Sequence, residues 1–597
     1  MRSISLMIAA AGLAFFSGAA RGGEHYVILT TNAAYNECHA AIDDFVVHKE
    51  TQGYEVLVKT ESDWAGSPGA ETADQVRNYL ITGEESWGAT GIDYLLIIAD
   101  AEDVPMKVAE IYPGLEVPTD WYYADLDGDW DLDGDGVYAE YDSDVGPGGV
   151  DFEAEASVGR IIYKEETLPA ILERIIAHQE NMYDGALDQG WRYRVLQAGA
   201  FLEIEPDGTV LDCGSAPQEY IYDHYIDGTS FSSLRLYDPG NAWTDPSPNI
   251  AEADGDLDAG AMYAELESFG YGTVIWQAHG GTDAAYRRLN QEYLGEIQTD
   301  CHTPFVDTAD PGDLAAGSPV ENNPDAPVIV AASCHNGSTD PEALAAAFMD
   351  SFAVNFVGSD VSAQKVLGWD EPEDGGMQGW SVYMAEQLLS ARLPVGDAFA
   401  AAIAEYYAEA LDGDPGNAGT KNCYCMTVYG DPSLRVTIEP WTELATILFG
   451  GAGKKGFFAD EKSRYRFRDE ILAYSKDGIF LTEALYRQAA TLARLAAENP
   501  RLWKGMVETE GILRKIAEIY FAGGYGDKEV PLSRDAAGRI DSTLKDLQAA
   551  APKELGSDVY RARKILAGAA GKSLRDLKSA FGFGQKRRIP EFCLPAR

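Results

Sequence analysis

Histidine and cysteine are scarce in this 597-residue chain, at 8 and 7 residues. Cys38, Cys213, Cys301, Cys334, Cys423, Cys425 and Cys593 contain no Cys-x-x-Cys pair, and no His-rich cluster accompanies them. This spacing argues against a zinc finger or a dithiol redox centre, and the cysteines are too sparse for a disulfide scaffold. Long apolar runs are also lacking. Past the N-terminal segment none approaches the roughly 20 residues that span a bilayer as a helix, so no integral membrane segment is expected. Basic residues are few and unevenly placed. Of 46 basic and 97 acidic residues, 28 and 20 fall in 441–597, which leaves 18 and 77 in residues 1–440, net −59. An acidic body of that size repels phosphate backbones, which makes nucleic acid an unsuitable partner.

What is present begins with "MRSISLMIAAAGLAFFSGAARG", a basic start, a short apolar stretch and a small-residue exit. Residues 1–22 therefore read as a secretory signal peptide, and the mature chain is expected to be secreted, periplasmic or extracellular. No cysteine follows the cleavage region, which disfavours a lipoprotein anchor. An exported chain with an odd cysteine count leaves at least one thiol unpaired. The apolar fraction of 46% suffices for ordinary globular cores, and the length suggests several domains.

"YVILTT" (26–31), "YEVLVKT" (54–60) and "DYLLIIAD" (93–100) read as strands, separated by helical stretches to Gln52 and over 72–83. "ASVGRIIY" and a helix near 165–184 complete this half. The pattern restarts with strand candidates at 193–200, 271–280, 326–334 and 352–360, and "CYCMTVYGDPSLRV" (423–436) closes it. Strands alternating with helices imply βαβ units and parallel pairing. The expected fold is α/β, with parallel sheet or sheets flanked by helices in two subdomains, 25–187 and 188–440. Beyond 445 the composition turns to Ala, Leu, Lys, Arg and Glu at helical periodicity, so 445–597 reads as an all-α C-terminal region of unassigned role.

Two strands of the second half end in reactive side chains, His279 in "WQAHGG" and Cys334 in "AASCHNG". Ligands of open parallel sheets bind outside the carboxyl ends of the strands. A thiol and an imidazole delivered there can act as nucleophile and acid/base partner. Gly280 lets a substrate carbonyl approach a backbone N–H able to stabilise an oxyanion. Read singly, each residue has a plainer alternative: a structural hydrogen-bond donor for the histidine, a core thiol for the cysteine.

Taken in order, "YVILTT…FVVHKETQGYEVLVKT", "VRNYL…GIDYLLIIADAEDVPM", "ASVGRI", "WQAHGG", "PVIVAASCHNG…PEALAAAFM" and "VYGDPSLRV" resemble the gingipain-type cysteine peptidases of the caspase-like clan, over about residues 25–437. The resemblance implies an endopeptidase acting on protein or peptide substrates. Cys334 would be the nucleophile and His279 the acid/base, with the Gly280 and Cys334 N–H groups as oxyanion hole. Members that cut after Arg carry an acidic residue near the helix that follows the "YRVLQAGA" strand; Asp212, a few positions out of step, is the nearest match and the expected substrate-binding residue, for a basic side chain before the scissile bond. Glu203 is the nearest match to a glutamate that assists the histidine. The segment between His279 and Cys334, with Cys301 and His302, is longer than the family pattern. Residues 445–597 match nothing in it.

"DLDGDWDLDGDGVYAEYDSD" (125–144) carries a second signal. Asp131, Asp133 and Asp135 fall at positions 1, 3 and 5 of a calcium loop, Gly136 at 6 and Asp142 at 12. Alternating carboxylates surround one cation with hard oxygens, and glycine permits the sharp turn. Position 12 is Asp in place of the bidentate Glu and no helix pair flanks the loop, so an isolated structural calcium loop is expected. Asp125, Asp127 and Asp129 are candidates for the same site or a second one, and a solvated Asp-rich loop is the plain alternative. No organic cofactor is expected. The competing whole-chain reading is a catalytically inactive peptidase-like module that binds calcium or peptide; the intact His279 and Cys334 favour the enzyme.

Overall fold

The computed structural model describes residues 25–52, 54–64, 72–82, 91–181, 190–204, 210–238, 253–268, 270–289, 301–310, 325–411, 418–437, 532–550, 559–564, 566–567 and 570. The expected signal peptide and much of 445–597 lie outside them.

Eleven strands form one sheet: β1 (His25–Thr30), β2 (Glu55–Lys59), β3 (Tyr94–Ile98), β4 (Ser157–Ile161), β5 (Arg194–Gly199), β6 (Ser232–Tyr237), β7 (Gly255–Asp256), β8 (Thr273–Gln277), β9 (Val328–Ala332), β10 (Asn355–Ser359) and β11 (Met426–Gly430). Their order is β7-β6-β5-β8-β9-β10-β11-β4-β3-β1-β2. Every pairing is parallel except β10 with β11. The sheet is thus two parallel blocks of opposite direction, joined by one antiparallel seam. The last strand returns to the block built by the first four.

All residues of β1, β3, β8, β9, β10 and β11 are buried, as expected of strands covered on both faces. One group of helices packs together as α1 (Asn32–Gln52), α2 (Leu168–Asn181) and α4 (Leu344–Ser351). The second comprises α3 (Ser215–Ile221), α5 (Gly376–Ala385) and α6 (Val395–Glu405). In α1 the buried positions Cys38, Ile42, Phe45 and Lys49 recur every three or four residues and form a single stripe. Lys49 ends that stripe as a cation with no exposure, paired with Asp431, which has none either. Asp431 also accepts from Tyr26 Oη (2.9 Å) and Gln179 Nε2 (2.9 Å), so one carboxylate ties the end of β11 to β1, α1 and α2. Arg160 of β4 is held the same way, forked onto Asp120 at 2.8 and 2.6 Å.

The expected α/β fold, a mostly parallel sheet flanked by helices, is what forms. Residues Gly22–Met182 and Asp188–Thr437 make one compact unit, so the two blocks share a sheet. Residues of 438–597 belong to the other unit, in which α7 (Arg534–Ala550) buries Ile540, Leu544 and Leu547 on one face. Among the described residues no helix is long and apolar enough to cross a membrane.

Candidate active site

The register of β8 on β9 pairs Thr273 with Val328 and ends with Gln277 opposite Ala332. His279 and Cys334 each follow two residues later, so neighbouring parallel strands deliver both at the same level, at their carboxyl ends. β8 itself stops at Gln277. His279–Gly280 already belongs to a small antiparallel sheet with Ala284–Leu289 and Cys301–Asp307, so the histidine opens a new element beyond the main sheet. Gly280 runs directly past the thiol-bearing turn: a Cβ there would lie 2.1 Å from the Cys334 carbonyl oxygen and 2.9 Å from Asn336 Nδ2. Only glycine fits that approach.

Asn336 is the fastener between the two strand ends. Fully buried, its Nδ2 donates to the carbonyls of Gly281 and Ala284, both at 2.8 Å, while Oδ1 accepts from Trp276 Nε1 (3.2 Å) and from Ser333 Oγ. Sequence reading missed it, because an Asn before Gly reads only as turn chemistry. Cys334 is a free, partly exposed thiol whose Sγ accepts from the Ala363 N–H at 3.3 Å. Cys38, Cys213, Cys423 and Cys425 are free as well; burial pushes the Cys213 thiol up to about 11 and that of Cys425 up to about 12, which keeps both protonated. His335 occupies the left-handed region (φ 57°) and its Nε2 lies 2.9 Å from Ser362 Oγ. The turn, rather than strand alternation, sets its direction, since β9 has already ended.

His279 Nε2 donates to the Leu202 carbonyl at 2.8 Å, which fixes the neutral ring with its lone pair on Nδ1. The same carbonyl accepts from Lys365 Nζ at 2.8 Å. Lys365 also reaches Glu203 Oε2 at 2.6 Å, and Glu203 stands opposite Asp212 in the antiparallel pair Phe201–Ile204 and Val210–Cys213. Asp212 is buried, accepting from the Cys213 N–H (2.9 Å) and from Gln378 Nε2 (2.8 Å). Burial raises its carboxyl to about 6 against the pull of Lys365. Cys334, His279, Gly280, Glu203 and Asp212 therefore gather in one region. Lys365 joins them without a signal in the sequence, because "SAQKVLG" has neither motif nor periodicity. The side chains of Cys301 and His302 lie outside the described residues.

The acidic loop stands apart from this crevice. Carboxylate oxygens of Asp131, Asp133 and Asp135 lie within 4.8 Å of one another, each also accepting a loop N–H, from Gly136, Asp135 and Val137. Asp142 is not part of that group. Asp144, unforeseen, closes the loop by accepting from Leu132 N–H (2.9 Å) and Glu140 N–H (3.1 Å). Asp125, Asp127 and Glu155 form a second group within 4.8 Å, with Glu155 where the sequence had suggested Asp129. Asp125 has no exposure; Oδ1 accepts from the Gly128 N–H while Oδ2 has no hydrogen-bond partner. Burial raises this carboxyl to about 7. A buried carboxylate oxygen left over among converging acids suits a hard cation such as calcium.

A mostly parallel sheet flanked by helices, with a thiol and an imidazole at adjacent strand ends, has the architecture of an α/β cysteine peptidase. Residues 20–437 match the model of peptidase family C25, the gingipain family, and the chain belongs to that family of cysteine peptidases, whose substrates are proteins. Similar solved structures include the Arg-specific cysteine proteinase gingipain R, at 18% identity and a TM-score of 0.48, covering 70% of this chain and 80% of that one. Another is the complex of Porphyromonas gingivalis RgpB pro- and mature domains, at 19% identity and 0.46, covering 68% and 79%. No curated protein matches.

Proposed function

We propose that the chain is an exported, calcium-stabilised cysteine endopeptidase in which Cys334 and His279 carry the chemistry. The observation that supports this most is the common register of the two strand ends, with Gly280 drawn against the Cys334 carbonyl. In the reaction the Cys334 sulfur attacks the scissile carbonyl carbon, and the oxyanion that forms accepts from the Gly280 and Cys334 N–H groups. His279, its Nε2 anchored on Leu202, takes the thiol proton at Nδ1 and passes it to the departing amine. Water then cleaves the thioester with the same imidazole as base, regenerating the thiol. Calcium would be held by Asp131, Asp133 and Asp135, and by Asp125 with Asp127 and Glu155, well suited to cross-link the loop that follows β3. The signal-like residues 1–22 support export, to an environment where calcium is plentiful.

Alkylation tests the nucleophile. Iodoacetamide at mildly acidic pH is expected to label Cys334 before any other cysteine and to abolish thiol-dependent turnover of a mixed fluorogenic peptide library. Full turnover after complete Cys334 alkylation, or Cys334 recovered in a disulfide from active protein, rejects the assignment.

A further inference from the structure

Lys365 lies beside the residues assigned the chemistry. Its Nζ shares the Leu202 carbonyl with His279, and two residues before it Ala363 N–H contacts the Cys334 sulfur. It is also held in place. The backbone of Gln364 is clamped by the buried side chain of Asn422, which accepts from its N–H (2.8 Å) and donates to its carbonyl (2.9 Å). Gln378 does the same for Val366, accepting at 3.2 Å and donating at 2.7 Å. The second Gln378 N–H goes to Asp212, so the acid facing Glu203 and the segment bearing Lys365 are fastened to one amide. The result is an acidic pair already matched to a fixed internal cation, with Lys365 and Glu203 each 31% exposed at their side chains.

We propose that Lys365 is a specificity-determining residue: it occupies the acidic pocket beside Cys334 and His279 as a built-in cation, so that the site rejects Arg and Lys at the position before the scissile bond and takes peptides with an uncharged side chain there. This rests on the peptidase reading. An incoming guanidinium or ammonium must either lie against the Lys365 ammonium or displace it from Glu203 and Leu202; both disfavour a basic residue relative to a neutral one. Two of the three ammonium protons go to Glu203 and Leu202, and the part-exposed head remains available to a neutral acceptor such as an amide oxygen.

The test compares the full-length protein with Lys365→Met, which removes the cation, and Lys365→Arg, which keeps one. Agmatine, an arginine side chain without its peptide, is titrated by calorimetry into all three. Lys365→Met is expected to bind it at least about tenfold more tightly than the other two. In parallel, peptides differing only in Arg, Lys, Ala or Asn before the cleaved bond are compared by kcat/KM. The Arg-to-Ala ratio should rise at least about tenfold in Lys365→Met and stay near the wild-type value in Lys365→Arg. Equal agmatine affinity in the three proteins, or a wild type that already prefers Arg, overturns the proposal. If no peptide is turned over by any of them, the peptidase reading fails, and agmatine binding still decides the role of Lys365.

Discussion

The ion pairs that bind the first block of the sheet together and those beside Cys334 in the second use charge in opposite ways. In the block of β1 to β4 and β11, Lys49–Asp431 and Arg160–Asp120 are sealed off, with side-chain exposures of 0%/0% and 0%/7%. Asp431 is surrounded by fixed donors and Asp120 is gripped by the Arg160 fork, so both pairs fasten elements together. In the block of β5 to β10, the charges near Cys334 are half open: Lys365 and Glu203 remain 31% exposed, and His279 and Cys334 are partly exposed. Closed pairs specify structure, because a buried charge must be matched. Open pairs can exchange water for a substrate group.

The sharpest way to break the comparison is to unpair a closed charge. Removing one partner of a buried ion pair typically costs about 3–5 kcal/mol, because the other is left uncompensated. Lys49→Met and Asp431→Asn are each expected to lose stability in that range by urea unfolding, while alkylation of Cys334 in the folded fraction proceeds as in wild type. Lys365→Met, which opens a part-exposed pair, should lose no more than about 1 kcal/mol. Equal losses at the two pairs would erase the distinction between the blocks.

How much of this was legible beforehand follows the same division. The buried strands were readable because β-branched runs such as "DYLLIIAD" and "APVIVAAS" have one role in an α/β chain. Ser232–Tyr237 is not legible as a strand: its exposure runs from exposed through intermediate to buried, so "SSLRLY" carries no continuous apolar signal. The direction of β11 was not readable either, since an apolar strand carries no mark of whether its neighbour runs with or against it. Cys334 and His279 could be found because each stands at a strand end beside glycine or asparagine. Asn336 and Lys365 could not. Their roles arise from contacts 52 to 163 residues apart in the chain.

Within the open block the two histidines set the next contrast. His279→Ala is expected to reduce kcat/KM at least about a hundredfold, the usual contribution of general acid–base catalysis. His335→Ala removes the contact to Ser362 and the charge near Asp360, and should cost far less, with native circular dichroism for both. Reversed losses would move the acid/base role to His335.

Calcium bears on the closed block, whose acidic loop lies between β3 and β4. Chelation is expected to lower the melting temperature, and calcium but not sodium to restore it. A ligand at a hundred times its Kd adds about 2.7 kcal/mol to the folded state. Asp125→Asn should shrink the response, since the buried oxygen without a partner belongs to that residue. A melting curve indifferent to chelator in both proteins would leave the loop held by its own hydrogen bonds.

The smallest expected effect compares one aspartate from each block by pH. Asp212 holds its proton up to about 6, against an ordinary 3.8, because burial outweighs Lys365, the Cys213 N–H and Gln378, with Glu203 adding to the rise. Between about pH 4 and 6 the folded state therefore binds more protons than the unfolded one, and this residue's contribution falls as pH rises. Asp431 has the opposite sign. Burial pushes its carboxyl up, but the Lys49 ammonium and the hydrogen bonds from Lys49, Tyr26 and Ser433 more than offset that and hold it below the ordinary range. Its contribution is complete above about pH 4 and is lost as pH falls through the lowered value. Urea unfolding from pH 3 to 7 should show this in difference. Relative to wild type, Asp212→Asn should gain about 1–2 kcal/mol between pH 4 and 6 and change no further above, somewhat less than the full two-unit shift allows at about 1.4 kcal/mol per unit. The deficit of Asp431→Asn should instead shrink on acidification below pH 4. Slopes of the same sign would mean that Asp212, too, is a closed and fully matched charge.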